Sequence, residues 1–355
     1  PVLQKAFRSL INANLLRIVT GDTATGAAAI HHELVTDVHV TGATSTHDAI
    51  VWGAPDERQT RKSNNTPVLQ KPVTSELGNV SPWIVVPGKY SAKELNSQAQ
   101  HIAASITNNN SFNCLATKVI VTWKDWDQRE EFLSLIQKHL DATPKRYAYY
   151  PGAAERFVKF SGEDIQPDEN GCLPYRLLVD QHIEERPELF EQESFVPVCA
   201  ETSLVAESPA DFLRTAVDFV NDRLFGTLCG TVTLPKAFKG ENPAAVEQAI
   251  NRLRYGSLCI NQWSGLAYGL IGPPWGAYGG HTLQQVGSGI GSVHNTYLVD
   301  NVEKTVLEGP LISFPKPVWF SNHRKSRQVG ERLLALFHRP SPLRLPSLFA
   351  AALTG

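Results

Sequence analysis

The run Ser75-Glu76-Leu77-Gly78-Asn79-Val80-Ser81-Pro82-Trp83-Ile84-Val85-Val86 sets a carboxylate on a turn directly ahead of an apolar strand. Read outward from it, the chain alternates. Ser91 to Asn108 has helical character, Val119-Ile120-Val121-Thr122 reads as a buried strand, and Asp127 to Leu140 as an amphipathic helix. Upstream, Leu15 to Thr20 reads as a strand, Ala24 to His32 as a helix, and Thr36 to Thr41 as a second strand ending at Gly42. A helix follows from Thr46. Strand, helix, strand, helix is the sequence signature of a parallel sheet with crossover connections, so the fold class is α/β. The polar stretch Pro55 to Thr66 reads as a surface loop, as does Glu163 to Pro174.

The composition suits a chain with real cores: 355 residues, 42% hydrophobic and 19% charged. A formal net charge of -2 gives no global attraction to nucleic acid. The five cysteines lack CxxC spacing, which points away from a disulfide framework or zinc site and towards a reducing, cytoplasmic compartment. The sequence has no Met and opens on what reads as mid-domain sequence, as a fragment would. His31-His32 are adjacent, not one helical turn apart, so no metal site is expected. After Asn301 the character changes. In the last part of this segment Arg324, Lys325, Arg327, Arg332, Arg339 and Arg344 stand against a single acid, Glu331, with Val329, Leu333, Leu336 and Phe337 near helical spacing. A helix packed on the body or on a partner subunit is the expected reading; a basic helix lying on a membrane surface is the alternative.

Three segments carry chemistry. Glu76 stands at the strand entry described above. Asn108-Asn109-Asn110-Ser111-Phe112-Asn113-Cys114 places a thiol at the exit of an amide-rich loop, where polar donors can stabilise the reactive thiolate. Glu193-Ser194-Phe195-Val196-Pro197-Val198 sets an acid two residues before an aromatic at the head of a strand. There the acid can chelate ribose hydroxyls while the ring packs a flat heterocycle.

In order and separation, Thr41-Gly42, Glu76-Leu77-Gly78, Phe112-Asn113-Cys114 and Glu193-Ser194-Phe195-Val196-Pro197-Val198 resemble the aldehyde dehydrogenase superfamily. Asn221 to Gly226, Gly256 to Asn261 and Pro274-Trp275-Gly276 are similar to its later blocks. The resemblance implies an aldehyde dehydrogenase-like α/β fold, truncated at its N-terminus. Residues 1–78 would be the last part of a Rossmann-like dinucleotide-binding domain, 79–300 the α/β catalytic domain, and 301–355 a final strand with a basic helical tail. It implies NAD(P)-dependent oxidation of a small-molecule aldehyde to the acid. In that reaction Cys114 forms a thiohemiacetal and then a thioester, and Glu76 activates the hydrolytic water. It places Leu77 and Gly78 beside the nicotinamide, Gly42 at the pyrophosphate, Gly26 on the adenosine side, and Glu193 with Phe195 at the nicotinamide ribose. The Cys114 amide becomes an oxyanion donor, Trp263, Tyr268 and Trp275 lie near a substrate tunnel or in the core, and the protein is a homo-oligomer.

The pattern departs from the family at four places. Asn79 stands where a second glycine is usual, Ala43 where a serine is, and Asp22 where a small glycine is; the 38-residue step from Glu76 to Cys114 is slightly long. The competing readings are an acylating or acyl-CoA reductase-like relative, which would hand the thioester to coenzyme A, and a non-catalytic scaffold. Gly287-Ser288-Gly289-Ile290-Gly291 looks like a phosphate loop but lacks the GxGxxG spacing, and is set aside.

Overall fold

The computed structural model describes residues 1–355. The chain divides into two compact units, Pro1–Val40 with Ser45–Thr74, and Thr41–Thr44 with Ser75–Gly355.

The first unit holds the helix Thr23–His31, capped by Asp22, whose carboxylate accepts from the Thr25 amide at 2.9 Å. Strand β1 (Val38–Gly42) begins in this unit, where the Val38 amide donates to the Pro72 carbonyl at 3.0 Å beside the start of β2 (Val73–Leu77). Two sequence expectations need correction. Leu15 to Thr20 forms no strand: it has no ladder partner, and Leu15 and Val19 are exposed. Without a neighbour, β propensity alone does not make a strand. Pro55–Asn64 is a helix rather than a loop. It has no apolar stripe to betray it. Its support is Pro55 in the first turn, Asp56 and Glu57 at the N-terminal end, Arg61 and Lys62 at the C-terminal end, and left-handed Asn65 as the stop.

The second unit is built on a seven-stranded sheet in the order β10-β8-β7-β3-β4-β6-β5. These strands are β3 (Ser81–Val85), β4 (Thr117–Trp123), β5 (Arg176–Leu178), β6 (Val198–Leu204), β7 (Cys229–Thr233), β8 (Ser257–Ile260) and β10 (Thr305–Glu308). Every pair is parallel. The apolar runs of β3 and β4 are continuous because both faces of the sheet are covered. Trp83, Val85 and Ile120 join Leu95, Ile102, Ile106, Phe132 and Ile136 in one core. Ile84, Val119 and Val121 join Phe157, Phe212, Val217 and Val220 in the other. The first core is supplied by the helices Ala92–Thr107 and Arg129–Asp141. The former starts in a capping box: Ser91 Oγ accepts from the Glu94 amide, and Glu94 accepts from the Ser91 amide at 2.8 Å. A short strand, β9 (Gly289–Ile290), runs antiparallel to the end of β2, with Ser75 opposite Ile290 and Glu76 opposite Gly289.

The chain ends in the helices Ser326–His338 and Leu345–Leu353, joined by the Arg332 guanidinium donating to the Ser347 carbonyl. Of the four apolar positions read from the sequence, Val329 is buried while Leu333 and Phe337 are exposed. No helix is long and apolar enough to cross a membrane.

Candidate active site

Glu76 lies inside β2 and not on the turn that the sequence suggests, and it is buried. Its strand is fixed by the glycine-rich run set aside above. The Leu77 amide donates to the Ser288 carbonyl at 2.7 Å, and the Ser288 hydroxyl donates to the Gly78 carbonyl at 2.9 Å. The same hydroxyl accepts from the Thr227 amide at 2.8 Å. Gly289 has φ +135°, and a Cβ there would lie 2.0 Å from the Ser75 carbonyl oxygen, so only glycine lets the two backbones approach. This run therefore belongs to the site as a clamp. The signal in the sequence was the glycine spacing itself; the partner, 210 positions away, was not legible.

The residue after Gly78 is equally engaged. Asn79 is fully buried; its amide nitrogen donates to the Ser81 hydroxyl at 3.0 Å and to the Cys229 carbonyl at 2.9 Å, and its oxygen accepts from the Leu228 amide at 3.4 Å. Gly226 makes this possible, because a Cβ there would stand 2.6 Å from Asn79 Oδ1. Ser81 passes the connection on by donating to the Cys114 carbonyl at 3.0 Å.

Cys114 follows a turn in which Asn109, Asn110 and Ser111 all have positive φ. Asparagine tolerates this region better than most residues. Here the structure corrects the sequence reading of the amide-rich loop. Its amides serve the backbone: Asn109 donates to the Phe112 carbonyl at 2.8 Å and Asn113 to the Asn108 carbonyl at 3.0 Å. The half-buried thiol instead donates to Glu76 Oε1 at 3.0 Å, which also accepts from the Trp275 indole at 3.3 Å. Burial pushes the Cys114 thiol well above its ordinary range, and the Glu76 carboxylate beside it pushes the same way.

A cavity of about 320 Å³ opens on this pair. Gly42, Glu76, Leu77, Gly78, Cys114, Glu193 and Phe195, seven of the residues singled out in the sequence, line it together. Gly26 does not; it lies exposed within the helix Thr23–His31 of the first unit. Glu193 accepts from the Asn79 backbone amide at 3.2 Å. Burial raises its carboxyl to about 7, against the opposing pull of Lys118. Phe195, at φ +50°, meets Tyr150 edge-on at 4.8 Å between ring centroids.

Two lining residues escaped the sequence reading, Tyr150 and Arg156. Arg156 donates to the Ser194 and Glu193 carbonyls, each at 2.9 Å, and so holds the segment that carries Glu193. Neither belongs to a recognisable motif. Of the aromatics near the expected tunnel, Trp275 is buried behind Glu76, the Trp263 indole donates to the Leu115 carbonyl at 2.9 Å, and Tyr268 is exposed.

No family model and no curated protein sequence matches the chain. Solved structures do. Gamma-glutamyl-gamma-aminobutyraldehyde dehydrogenase from Burkholderia cenocepacia J2315 is 20% identical with a TM-score of 0.64, over 83% of this chain and 56% of that one. The NAD-dependent aldehyde dehydrogenase from Sinorhizobium meliloti is 17% identical with a TM-score of 0.59, over 79% and 52%. Mycobacterium tuberculosis aldehyde dehydrogenase, complexed with NAD+, is 18% identical with a TM-score of 0.58, over 83% and 58%. The chain thus spans little more than half the length of the structures it matches. Across that span, it has the aldehyde dehydrogenase fold.

Proposed function

We propose that these residues are the thiol-bearing part of an NAD(P)-dependent aldehyde dehydrogenase that oxidises a small-molecule aldehyde to the acid. The observation that carries this reading is the 3.0 Å contact between the Cys114 thiol and the Glu76 carboxylate on a cavity also lined by Gly42, Gly78 and Glu193. Residues 1–78 would contribute the end of the cofactor domain and residues 79–300 the catalytic domain. The basic tail would serve packing within a homo-oligomer.

The cavity suits a dinucleotide. Glu193 offers a carboxylate for ribose hydroxyls, and Gly78 leaves room for it, since a Cβ there would stand 2.6 Å from Glu193 Oε2. Gly42 has open space where a Cβ would be, which admits a pyrophosphate close to the backbone. Leu77 lines the same wall, and the family resemblance assigns Gly26 to the adenosine side. Bound NAD(P) supplies the hydride acceptor that turns a cysteine–aldehyde adduct into a thioester.

The protein's own residues do the rest. With its thiol pKa pushed up, Cys114 carries little standing thiolate, so a base in contact matters more than a polar loop. Glu76 Oε1 takes the thiol proton as the sulfur adds to the carbonyl carbon, giving the thiohemiacetal oxyanion, and then releases that proton to solvent. After oxidation, the same carboxylate takes a proton from water as the water oxygen attacks the thioester carbon and the Cys114 sulfur leaves. A water-activating acid beside the thiol favours hydrolysis over transfer to coenzyme A. Rapid mixing with NAD and an aliphatic aldehyde tests this. Cys114→Ser is expected to abolish NADH formation, and Glu76→Gln to slow steady-state turnover. Wild-type NADH formation that strictly requires coenzyme A would refute the hydrolytic reading.

A further inference from the structure

Lys118 stands four residues after Cys114, near the start of β4, and is buried. A buried ammonium needs partners, and its partners here are specific. It donates to the Ser111 hydroxyl at 2.8 Å, to the Ser111 carbonyl at 3.2 Å and, more weakly, to the Val196 carbonyl at 3.4 Å. Ser111 is the last of the three positive-φ residues that lead into Cys114, and Val196 follows Phe195, itself at positive φ. One amine therefore ties together the two irregular segments that bring Cys114 and Glu193 to the cavity. An apolar side chain at 118 could pack in the same space, but it would leave the Ser111 hydroxyl and carbonyl without this donor.

We propose that Lys118 is a positioning residue for the nucleophile: it fixes the Ser111–Cys114 turn against the Phe195–Val196 segment and keeps a positive charge close to the sulfur. This rests on the reading of Cys114 as the nucleophile. The charged and titratable groups that act on Lys118 are Glu193 ahead of β6, Cys199 in β6, Arg156 in the helix Ala153–Ser161, and Cys114 itself. Those that act on Cys114 are Glu76, Cys229 and Glu193. All of the latter carry or acquire negative charge and disfavour the thiolate, whereas Lys118, with which Cys114 interacts, is a cation and acts in the opposite sense. Burial draws its own pKa down to about 8, with Glu193 resisting. Its charge therefore titrates in an accessible range.

The test is alkylation of Cys114 by iodoacetamide, read at the Cys114 peptide by mass spectrometry from about pH 6.5 to about pH 9.5, because this needs no turnover. Losing the nearby cation is worth about one unit of thiol pKa, or about tenfold in thiolate. The rise in intrinsic nucleophilicity returns roughly threefold of that, leaving about a threefold slower reaction. Lys118→Met is expected to label about threefold more slowly below about pH 8, and Lys118→Arg at the wild-type rate. In the wild type, the logarithm of the rate should lag a unit slope on passing about pH 8 as Lys118 discharges, while Lys118→Arg should stay straight. A role confined to bracing the turn predicts the reverse, because a loosened turn exposes the sulfur. Labelling of Lys118→Met as fast as or faster than wild type would overturn the proposal. Should that variant not fold, Lys118→Gln, which keeps a donor for Ser111 without the charge, takes its place, and labelling of it as fast as wild type would overturn the proposal equally. If the labelling pattern holds but the wild type oxidises no aldehyde, the proposed function fails and the role of Lys118 stands. If the pattern fails while the wild type oxidises aldehyde, the function stands and the role of Lys118 falls.

Discussion

Replacing Asn79 by alanine should destabilise the second unit by about 3 kcal/mol. The side chain is fully buried and makes two short bonds, to the Ser81 hydroxyl and the Cys229 carbonyl, with a longer one from the Leu228 amide. Net hydrogen-bond contributions are about 1 kcal/mol each, and a buried group left without its partner costs about 1–3 kcal/mol more. The Cys229 carbonyl would be such a group, at a position where Cys229 is itself fully buried. Unfolding entropy of about 2 cal/mol/K per residue, over a unit of this size, converts the loss to a Tm lower by about 5 °C. The assay is thermal unfolding followed by near-ultraviolet circular dichroism, with urea unfolding as a check on the free energy. Asn79→Gly, which restores the residue usual in aldehyde dehydrogenases, should be no better, since it loses the same bonds and adds chain entropy. A Tm within about 1 °C of wild type for both variants would refute the argument that this amide is a structural strut.

Gly78→Ala places a methyl against the Glu193 carboxylate, the movable end of a side chain. Stability should change little while, on the role proposed for Glu193, NAD affinity measured by calorimetric titration falls about tenfold. Gly289→Ala is the contrasting case, because its Cβ meets backbone at 2.0 Å at φ +135°. Loss of more than about 4 kcal/mol in urea unfolding is expected there. Acid should weaken the fold through His101. It is fully buried, its Nε2 meets the Ser313 hydroxyl at 2.9 Å, and burial depresses its pKa to about 4. Since the folded state holds it neutral, its contribution is complete above about pH 6.5. It is lost as pH falls from there to about 4, amounting to about 3 kcal/mol, and His101→Gln should flatten that part of the stability–pH curve.

The parts of this molecule that could be read from its sequence are those whose cause is local. Continuous apolar runs gave β3 and β4, and period-3.6 patterns gave the helices Ala92–Thr107 and Arg129–Asp141, because each follows from burial at its own positions. Cys114, Glu76 and Glu193 stood out by residue type and order. What escaped has its cause elsewhere in the chain. Ser288 and Gly226 matter because of Gly78 and Asn79, and nothing near them in sequence says so. The helix Pro55–Asn64 escaped because its support is electrostatic at its two ends. The error over the amide-rich loop was one of role: asparagines that looked like donors to sulfur are needed to turn the backbone.

The bond from Ser288 to Gly78 has a temporal consequence. While the chain is being synthesised, Cys114 and Glu76 emerge long before the serine that secures their wall. Contacts of such long range form slowly. Until residue 288 arrives, the half-buried thiol belongs to an unfinished pocket. Polypeptides terminated before that point would carry the Cys114 sulfur without the wall that Ser288 secures.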